Sequence, residues 1–318
     1  MVAYVVVVFF LMTLNFLVPR ALPGHPIATL WNPSSVTYVS DPAKRAELQR
    51  YYGLDRPLVA QYGSYLAGLA RGDLGISINY NRPVLSVIGQ RLPWTLLLVG
   101  TALLLGTAVG GLAGIRAGWR RGRPADRGLV ALFLMIDNFP LFFVASAGAY
   151  LLAVQVHVYP LSGATTPVAS SYGPLHRVVD VADHLALPAG VLAMQLGAFQ
   201  FLVMRAGMVS ELGADYLMLG RAKGLAERTL QYRYAARNAL LPAVSVFGLQ
   251  LGSVVTAAVF VETVFAYPGL GRLMFDAVSN RDYPLIQGCF LVLSLLVIAA
   301  NLCAELAYRR LDPRVRPA

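Results

Sequence analysis

The chain has little charge for its length. Only 13% of its 318 residues are charged, whereas 57% are hydrophobic. Soluble domains typically carry about 25% charged residues, so the composition predicts an integral membrane protein. The formal net charge of +10 is compatible with a nucleic-acid partner. The positions of the basic residues favour a membrane topology instead, and we expect a lipid bilayer and no nucleic acid.

Groups that bind nucleotides or metals are also scarce. The two lysines, Lys44 and Lys223, are followed by Arg and Gly, which excludes a G-x-x-x-x-G-K-[ST] phosphate loop. The four histidines lack H-E-x-x-H spacing, and Cys289 and Cys303 lie in one apolar run without metal-ligand spacing. We therefore predict no enzyme activity, no cofactor and no metal in this chain, and any energy source must be another subunit.

One group of residues could suggest a hydrolase. Ser162, His176 and Asp180 lie in a polar loop expected at 155–183. A catalytic triad is defined by geometry and not by nearness in sequence, so we do not favour this interpretation.

Apolar runs predict an all-α membrane protein with six transmembrane helices. Residues 1–18 form a first helix of minimal length. A signal peptide is the competing interpretation, but a basic n-region and an A-x-A-like site are missing; a start upstream of Met1 is also conceivable. The other five helices are expected at about 94–115, 128–154, 185–206, 241–263 and 284–307.

The remaining segments are polar. Residues 19–93 are rich in proline and predict a small extramembrane insert, and residues 309–318 form a tail. Within the spans, Gly106, Gly110 and Gly114 recur every four residues, which lets another helix approach closely. Pro188 is expected in the first turn of the fourth span, where proline is tolerated.

Basic residues predict the orientation. Fifteen of the 26 Lys and Arg residues fall on one side of the six spans, in short loops and the tail. The short loops of the opposite side hold three, and eight more lie in the long insert, where charge affects topology less. We therefore expect both termini to be cytoplasmic and the insert to be extracytoplasmic.

Residues 211–242 form the longest densely charged stretch of the C-terminal half. Helical spacing of apolar residues predicts two short helices separated by Gly224, which can end the first in a left-handed conformation. Glu227 then lies in the first turn of the second, where negative charge is favoured. Such a rigid basic pair suits a docking surface for a soluble partner; the alternative is an ordinary solvated loop.

Seven short sequence motifs resemble those of the dipeptide/oligopeptide/nickel branch of ABC importer permeases. Within this branch they resemble the member that has a long extracytoplasmic insert after its first helix. They occur in that family's order along nearly the whole chain. The seven motifs are Tyr52-Gly53-Leu54-Asp55-Arg56-Pro57, Arg71-Gly72-Asp73-Leu74-Gly75, Gly220-Arg221-Ala222-Lys223-Gly224-Leu225, Arg237-Asn238-Ala239-Leu240-Leu241-Pro242, Val261-Glu262-Thr263-Val264-Phe265, Tyr267-Pro268-Gly269-Leu270-Gly271 and Leu311-Asp312-Pro313-Arg314-Val315-Arg316. One departure is that Met218, Leu219 and Gly220 stand where the general permease signature has E-A-A.

The resemblance implies a type I importer permease in a bacterial inner membrane, with a transmembrane domain at 94–308 and a coupling segment at 211–242. Such a subunit forms half of a pore with a second homologous permease. Two cytoplasmic ATPase subunits, which bind ATP and Mg, drive the pore, and an extracytoplasmic binding protein feeds it. For the ATPase contact, the resemblance implies Asp215, Tyr216, Arg221, Lys223 and the turn at Gly224.

Polar residues within the spans are candidates for the pathway. Charged groups there are costly and usually face a protein interior or a wet cavity. Asp137 and Asn138 are predicted to line the pathway, or Asp137 instead satisfies backbone freed by Pro140. Gln250 is a second lining candidate, with interhelical hydrogen bonding as its alternative. Glu262 belongs to an outer gate with residues 267–271 or is solvated at the interface.

The cargo is left open. Di- and oligopeptides are expected first, but the same resemblance covers nickel chelates and oligosaccharides. A self-contained channel or ion-coupled carrier is the alternative from another class. It would be expected to show internal repeats or paired broken helices, and the two halves share no convincing repeat.

Overall fold

The computed structural model describes residues 2–21, 41–51 and 53–311. These ranges are helical, and their only β-pairing is an isolated bridge between Ile76 and Pro83, as the predicted all-α fold requires. The helices are α1 (Val2–Ala21), α2 (Pro42–Tyr51), α3 (Leu58–Ala70), α4 (Val84–Trp119), α5 (Pro124–Asn138), α6 (Leu141–Gly148), α7 (Pro174–Glu211), α8 (Asp215–Ala222), α9 (Glu227–Thr229), α10 (Ala236–Val264), α11 (Leu270–Ser279) and α12 (Tyr283–Leu311). A π-helical turn, Ala149–Gln155, extends α6, and another, Leu230–Ala235, joins α9 to α10.

Seven apolar helical segments lie in the described ranges, and two of them form one bent pair. Helices α4 and α7 and the Tyr283–Cys303 part of α12 are long and apolar enough to cross a membrane. Helix α5 and the Leu141–Gln155 segment pass the same test as a pair bent by 97°. Two shorter apolar segments, Val8–Ala21 and Gly252–Val264, complete the set. The chain is thus a multi-pass membrane protein.

Two helices begin earlier than their apolar runs predict. Helix α4 starts at Val84 and not near 94, and α7 starts at Pro174 and not near 185. The expectation that Pro188 lies in the first turn of its helix is therefore wrong, because this residue is inside α7. The expected loop at 155–183 likewise ends at residue 173. Hydropathy misses these starts because the first turns of both helices contain polar residues.

The bend between α5 and α6 has a local cause. Pro140 has no N–H to donate and disfavours helical geometry in the residue before it. Phe139 accordingly has an extended backbone, with φ −78° and ψ 129°, and Pro140 is the N-cap of α6. The interruption expected at Asp137, Asn138 and Pro140 is therefore present, as a sharp break that follows Asn138.

The chain divides into two compact units. One comprises Met1–Pro93 and Pro268–Leu296, and the other comprises Trp94–Tyr267 and Val297–Ala318. The second unit contains the segment predicted to be functional. Its central helix is α7, in which two thirds of the most apolar stretch is buried within the protein.

Glycines bring α4 and α7 into close contact. A Cβ added at Gly110 would lie 2.2 Å from the carbonyl oxygen of Gly197, and one at Gly106 would lie 2.8 Å from that of Ala193. Equivalent positions at Gly114 and Gly118 are equally restricted. The prediction that the glycine repeat admits a neighbouring helix is confirmed, and the neighbour is α7.

A buried ion pair joins the start of α5 to α7. Arg205 donates to both carboxylate oxygens of Asp126, from Nε at 2.6 Å and from Nη2 at 2.9 Å. Asp126 is 2% exposed and also accepts the backbone N–H of Gly122 at 2.9 Å. Farther along, Phe133 of α5 stacks on Phe201 of α7 with ring centroids 4.2 Å apart. The two helices are thus joined by a polar and an aromatic contact.

The first unit has its own polar core. Asn15 of α1 is buried and donates through Nδ2 to the Tyr65 hydroxyl at 3.1 Å and to the Gln287 carbonyl at 2.8 Å. Asp282, 1% exposed, accepts the Ser77 hydroxyl at 2.5 Å and the Leu285 N–H at 3.2 Å. It caps the start of α12 and holds the residues that precede α4.

Candidate functional site: the coupling segment

Within the segment 211–242, α7 ends at Glu211 and is followed by the short helix α8, whose two faces differ. In α8, Leu217 and Gly220 are buried, whereas Asp215, Met218 and Leu219 are exposed. An amphipathic helix of this kind packs one face on the protein and presents the other outward.

Gly224 ends α8 as predicted. Its φ of +74° lies in the left-handed region that glycine adopts without strain. The Leu225 N–H donates to the Gly220 carbonyl at 3.0 Å and the Gly224 N–H to the Arg221 carbonyl at 2.9 Å. These two bonds form a Schellman motif, which satisfies carbonyls left free at the helix end. The turn thereby fixes the direction in which the chain leaves α8.

The inner face of the segment packs tightly on three longer helices. Leu217 and Leu230 are fully buried in one cluster with Ile115 of α4 and Met204 and Met208 of α7. This cluster also includes four alanines from the π-helical turn and α10. Close-packed interiors have few voids and low compressibility. A displacement of α8 would therefore be transmitted to α4, α7 and α10.

Gly220 allows the closest of these contacts. A Cβ added there would lie 2.5 Å from Cδ2 of Leu230. The glycine at this position thus has a steric function, which is to let Leu230 pack directly beneath α8.

The outer face carries exposed apolar side chains that sequence reasoning did not select. Met218 is 67% exposed and Leu219 is 56% exposed. Met218 and Leu219 stand where the general permease signature has E and A, and they directly follow buried Leu217. Exposed apolar groups among charges are typical of a protein-interaction surface.

The predicted contact residues occupy different positions. Asp215, Arg221 and Lys223 are exposed on or just after α8. Arg221 donates from Nε to Glu227 at 2.9 Å, and this hydrogen bond raises the pKa of its guanidinium. An exposed pair of this kind contributes little to stability, so both groups are available to a partner.

Tyr216 faces inward to a greater extent. It is partly buried, and its hydroxyl donates to the carboxylate of Glu211 at the end of α7. Burial, together with this hydrogen bond, raises the pKa of Tyr216. Asn238 also approaches the same carboxylate, at 3.5 Å. Tyr216 thus connects α8 to α7 and α10, and its role in a partner contact stays a prediction.

The second of the two expected short helices is not a separate element. Glu227 does lie in a first helical turn, but α9, the π-helical turn and α10 follow one another without a break up to Val264. Single π-helical turns of this kind occur inside α-helices, frequently at functional sites. The coupling segment is therefore one short helix followed by the extended start of a transmembrane helix.

Two of the polar pathway candidates lie at the break between α5 and α6. Asp137 is partly buried, and Asn138 is exposed and donates from Nδ2 to the Leu134 carbonyl at 2.7 Å. Asn138 thus satisfies a backbone carbonyl close to the helix end. The pathway role of this pair stays a prediction.

The other two candidates lie in α10. The side chain of Gln250 is outside the described part of the structure. Glu262 is fully buried and accepts the Thr95 hydroxyl of α4 at 2.7 Å, so the alternative that it is solvated is wrong. Tyr267 is also fully buried, and its ring meets that of Trp94 edge to face at 6.0 Å. Burial raises the pKa of the Tyr267 hydroxyl, and the nearby Glu262 carboxylate raises it further.

The Ser162, His176 and Asp180 trio has a structural explanation. Asp180 is buried and accepts both the hydroxyl and the N–H of Thr166, the latter at 2.9 Å. It thereby fastens the loop before α7 to that helix. His184, one turn further, lies 3.6 Å from its carboxylate. No group of three or more metal-binding side chains occurs in the ranges that the structure describes.

Comparisons with known proteins agree with this architecture. Residues 84–317 match the family described as binding-protein-dependent transport system inner membrane component. The dipeptide transport system permease protein DppB of Escherichia coli K12 is 33% identical, over 95% of this chain and 93% of its own. A Brucella ovis protein described as a peptide permease is 36% identical, and the di/tripeptide permease DppB of Pseudomonas aeruginosa is 34% identical, with the same shares covered.

The chain therefore belongs to the inner membrane components of binding-protein-dependent transport systems. Within that class it is an ABC importer permease, a non-catalytic membrane subunit that works with other subunits.

Proposed function

We propose that the protein forms half of the translocation pore of an ATP-driven peptide importer. The names of the three relatives support di- or oligopeptides as cargo. A second homologous permease would complete the pore, and an extracytoplasmic binding protein would deliver the peptide. Both termini and the coupling segment would face the cytoplasm, as the excess of basic residues in those loops supports.

Helix α8 would be the element on which one of the two ATPase subunits acts, while the other ATPase subunit acts on the second permease. The observation that carries this proposal is the contrast between its faces: Leu217 is fully buried and Leu219 is 56% exposed. The exposed face would enter a cleft of the ATPase, with Arg221 and Lys223 at its edge. ATP and Mg would be bound by that partner, and closure of its nucleotide sites would move α8.

The motion would spread through packed helices. Leu217, Leu230 and Met204 share one buried cluster, so α8 cannot move without α7 and α10. Rigid elements with two arrangements are what coupling between distant sites requires. Alternating access would follow as these helices change their position around the pathway.

The test places a charge on the exposed face. Leu219→Glu adds a carboxylate where we expect an apolar contact, and should weaken ATPase binding by about 2 kcal/mol, roughly 30-fold in Kd, as at an interface hot spot. Arg127→Glu, an exposed residue of the α4–α5 region, is the control and should change binding less than about twofold. Binding is measured by titrating the purified ATPase onto the reconstituted permease pair. Equal affinities for wild type and Leu219→Glu would contradict the proposed docking face.

A further inference from the structure

A group of arginines at the end of α4 has no acidic partner among the residues that the structure describes. Arg116, Arg120 and Arg123 line an open cleft of about 660 Å³ together with Arg221 and Arg228. Among the described residues that line this cleft, Glu227 is the one carboxylate, and it is paired with Arg221. Among the described residues, no ion pair involves the other four arginines.

A second cleft continues the first. Its volume is about 610 Å³, and it shares Arg116, Arg228 and Tyr232 with its neighbour while adding Arg233. Six arginines thus line the two clefts, and among the described residues five of them have no ion-pair partner. Such a concentration of unneutralised positive charge favours a multiply oxygenated anion, because guanidinium groups bind phosphate oxygens in a bidentate manner.

The clefts lie where the apolar part of α4 ends. The helix carries no charged residue from Leu92 to Ile115, and Arg116 is the first. Trp119 is partly buried beside the first cleft, and the Arg221 guanidinium lies 5.7 Å from its ring centroid. Tryptophan and arginine at the end of an apolar span are typical of the level of lipid headgroups.

We propose that these two clefts bind the phosphate groups of anionic phospholipids. Basic pockets between transmembrane helices at a membrane surface recognise such headgroups through their charge. A bound headgroup would bridge the end of α4 to Arg221 and Arg228 of the coupling segment. It would neutralise repulsion between these arginines and stabilise α8 in its packed position.

The chain supplies a matched control for the test. Arg120→Gln/Arg123→Gln removes two charges from the first cleft. Arg121→Gln/Arg127→Gln removes two exposed arginines of the same region that line neither cleft. Both pairs change the net charge equally, so a difference between them reports the site and not the overall charge.

Lipid binding is measured by native mass spectrometry of the full chain in detergent, titrated with phosphatidylglycerol or phosphatidylcholine. We expect preference for phosphatidylglycerol, weakened about fivefold for each cleft arginine removed, as is typical of a basic residue near an anionic membrane surface. The control pair should change the affinity less than about twofold. Equal effects of the two pairs, or no preference for phosphatidylglycerol, would overturn the proposal.

Two further measurements distinguish anionic lipid from other ligands that could occupy the clefts. Displacement of phosphatidylglycerol by millimolar inorganic phosphate would assign the clefts to free phosphate and overturn the lipid. If the cleft variants bind lipid normally but lose the ATPase subunits, the clefts receive a protein surface and the proposal fails. These measurements use no cargo and no ATP, so their outcome is separate from that of the importer function.

Discussion

At the scale of single residues, Gly224 fixes the geometry of the coupling segment. Its φ of +74° is unavailable to proline and strained for other L-residues. A Cβ at this position would meet no atom within 4 Å, so any effect of substitution arises from the backbone and not from a clash.

We therefore expect Gly224→Pro to break the Schellman turn and to uncouple ATP hydrolysis from uptake, while membrane insertion is retained. Gly213→Ala is the control, since its φ is not positive and its Cβ also meets open space. Binding-protein-stimulated ATPase activity and peptide uptake are measured in the same proteoliposomes. Normal transport-linked hydrolysis in Gly224→Pro would show that the turn has no part in coupling.

The second prediction for a single residue concerns Asp126, which forms an ion pair with Arg205. Removing one partner of a buried ion pair leaves a charge without compensation, typically at a cost of about 3–5 kcal/mol. Arg205 retains 27% exposure, so we expect Asp126→Ala to cost less, about 2 kcal/mol. The midpoint of thermal unfolding in detergent should fall accordingly.

The control for this variant is Asp276→Ala, which breaks the exposed pair with Arg272 at 3.9 Å. Exposed pairs contribute about 0–1 kcal/mol, so its midpoint should stay near that of wild type. Similar shifts in both variants would show that the contact between Asp126 and Arg205 is not a major stabilising interaction.

At the scale of secondary structure, the α4–α7 contact depends on the absence of side chains. The distance of 2.2 Å between an added Cβ at Gly110 and the Gly197 oxygen is far below a normal contact. The two helices cannot separate at Gly110 without also losing the close contacts that Gly106 and Gly114 of α4 make with α7. The glycine repeat thus sets the distance between two transmembrane helices.

Gly110→Ala should destabilise the protein by about 1–3 kcal/mol, as overpacking does. Gly111→Ala, at the next position, meets no atom within 4 Å and should be neutral, or stabilising by up to about 1 kcal/mol through helix propensity. Thermal unfolding of the two variants in detergent measures the difference. If Gly111→Ala lost stability and Gly110→Ala did not, the close contact with α7 would lie on the Gly111 face of α4, which would contradict the structure.

The same elements show how far the sequence predicts the fold. The glycine repeat, the break at Pro140 and the turn at Gly224 were predicted because each depends on the local chemistry of one residue type. The sequence does not predict the pair Asp126–Arg205, because the two residues are 79 positions apart and nothing local indicates their contact. The starts of α4 and α7 were misplaced because hydropathy detects the apolar part of a helix and not its polar first turns.

The candidate site was predicted in part for a similar reason. Charge density identified the segment 211–242, and the resemblance to permeases indicated its charged residues. The sequence does not indicate that Met218 and Leu219 are exposed, because an apolar residue type alone does not show whether the side chain faces the core. Only the position of Leu217, buried on the opposite face, distinguishes them.

At the scale of the whole molecule, the chain is a non-catalytic membrane subunit of a transporter. It belongs to a family of membrane components that work with other subunits, and its sequence lacks a phosphate-binding loop. Its coupling segment combines a packed inner face with an exposed outer one. This combination is what a subunit needs if force is applied to it from outside.

The most direct test of this account is uphill peptide uptake into proteoliposomes that contain this chain and its partner permease, with the binding protein present and with or without the ATPase subunits. We predict accumulation against a gradient only when both ATPase subunits and ATP are included. Accumulation by the permease pair alone would contradict the account.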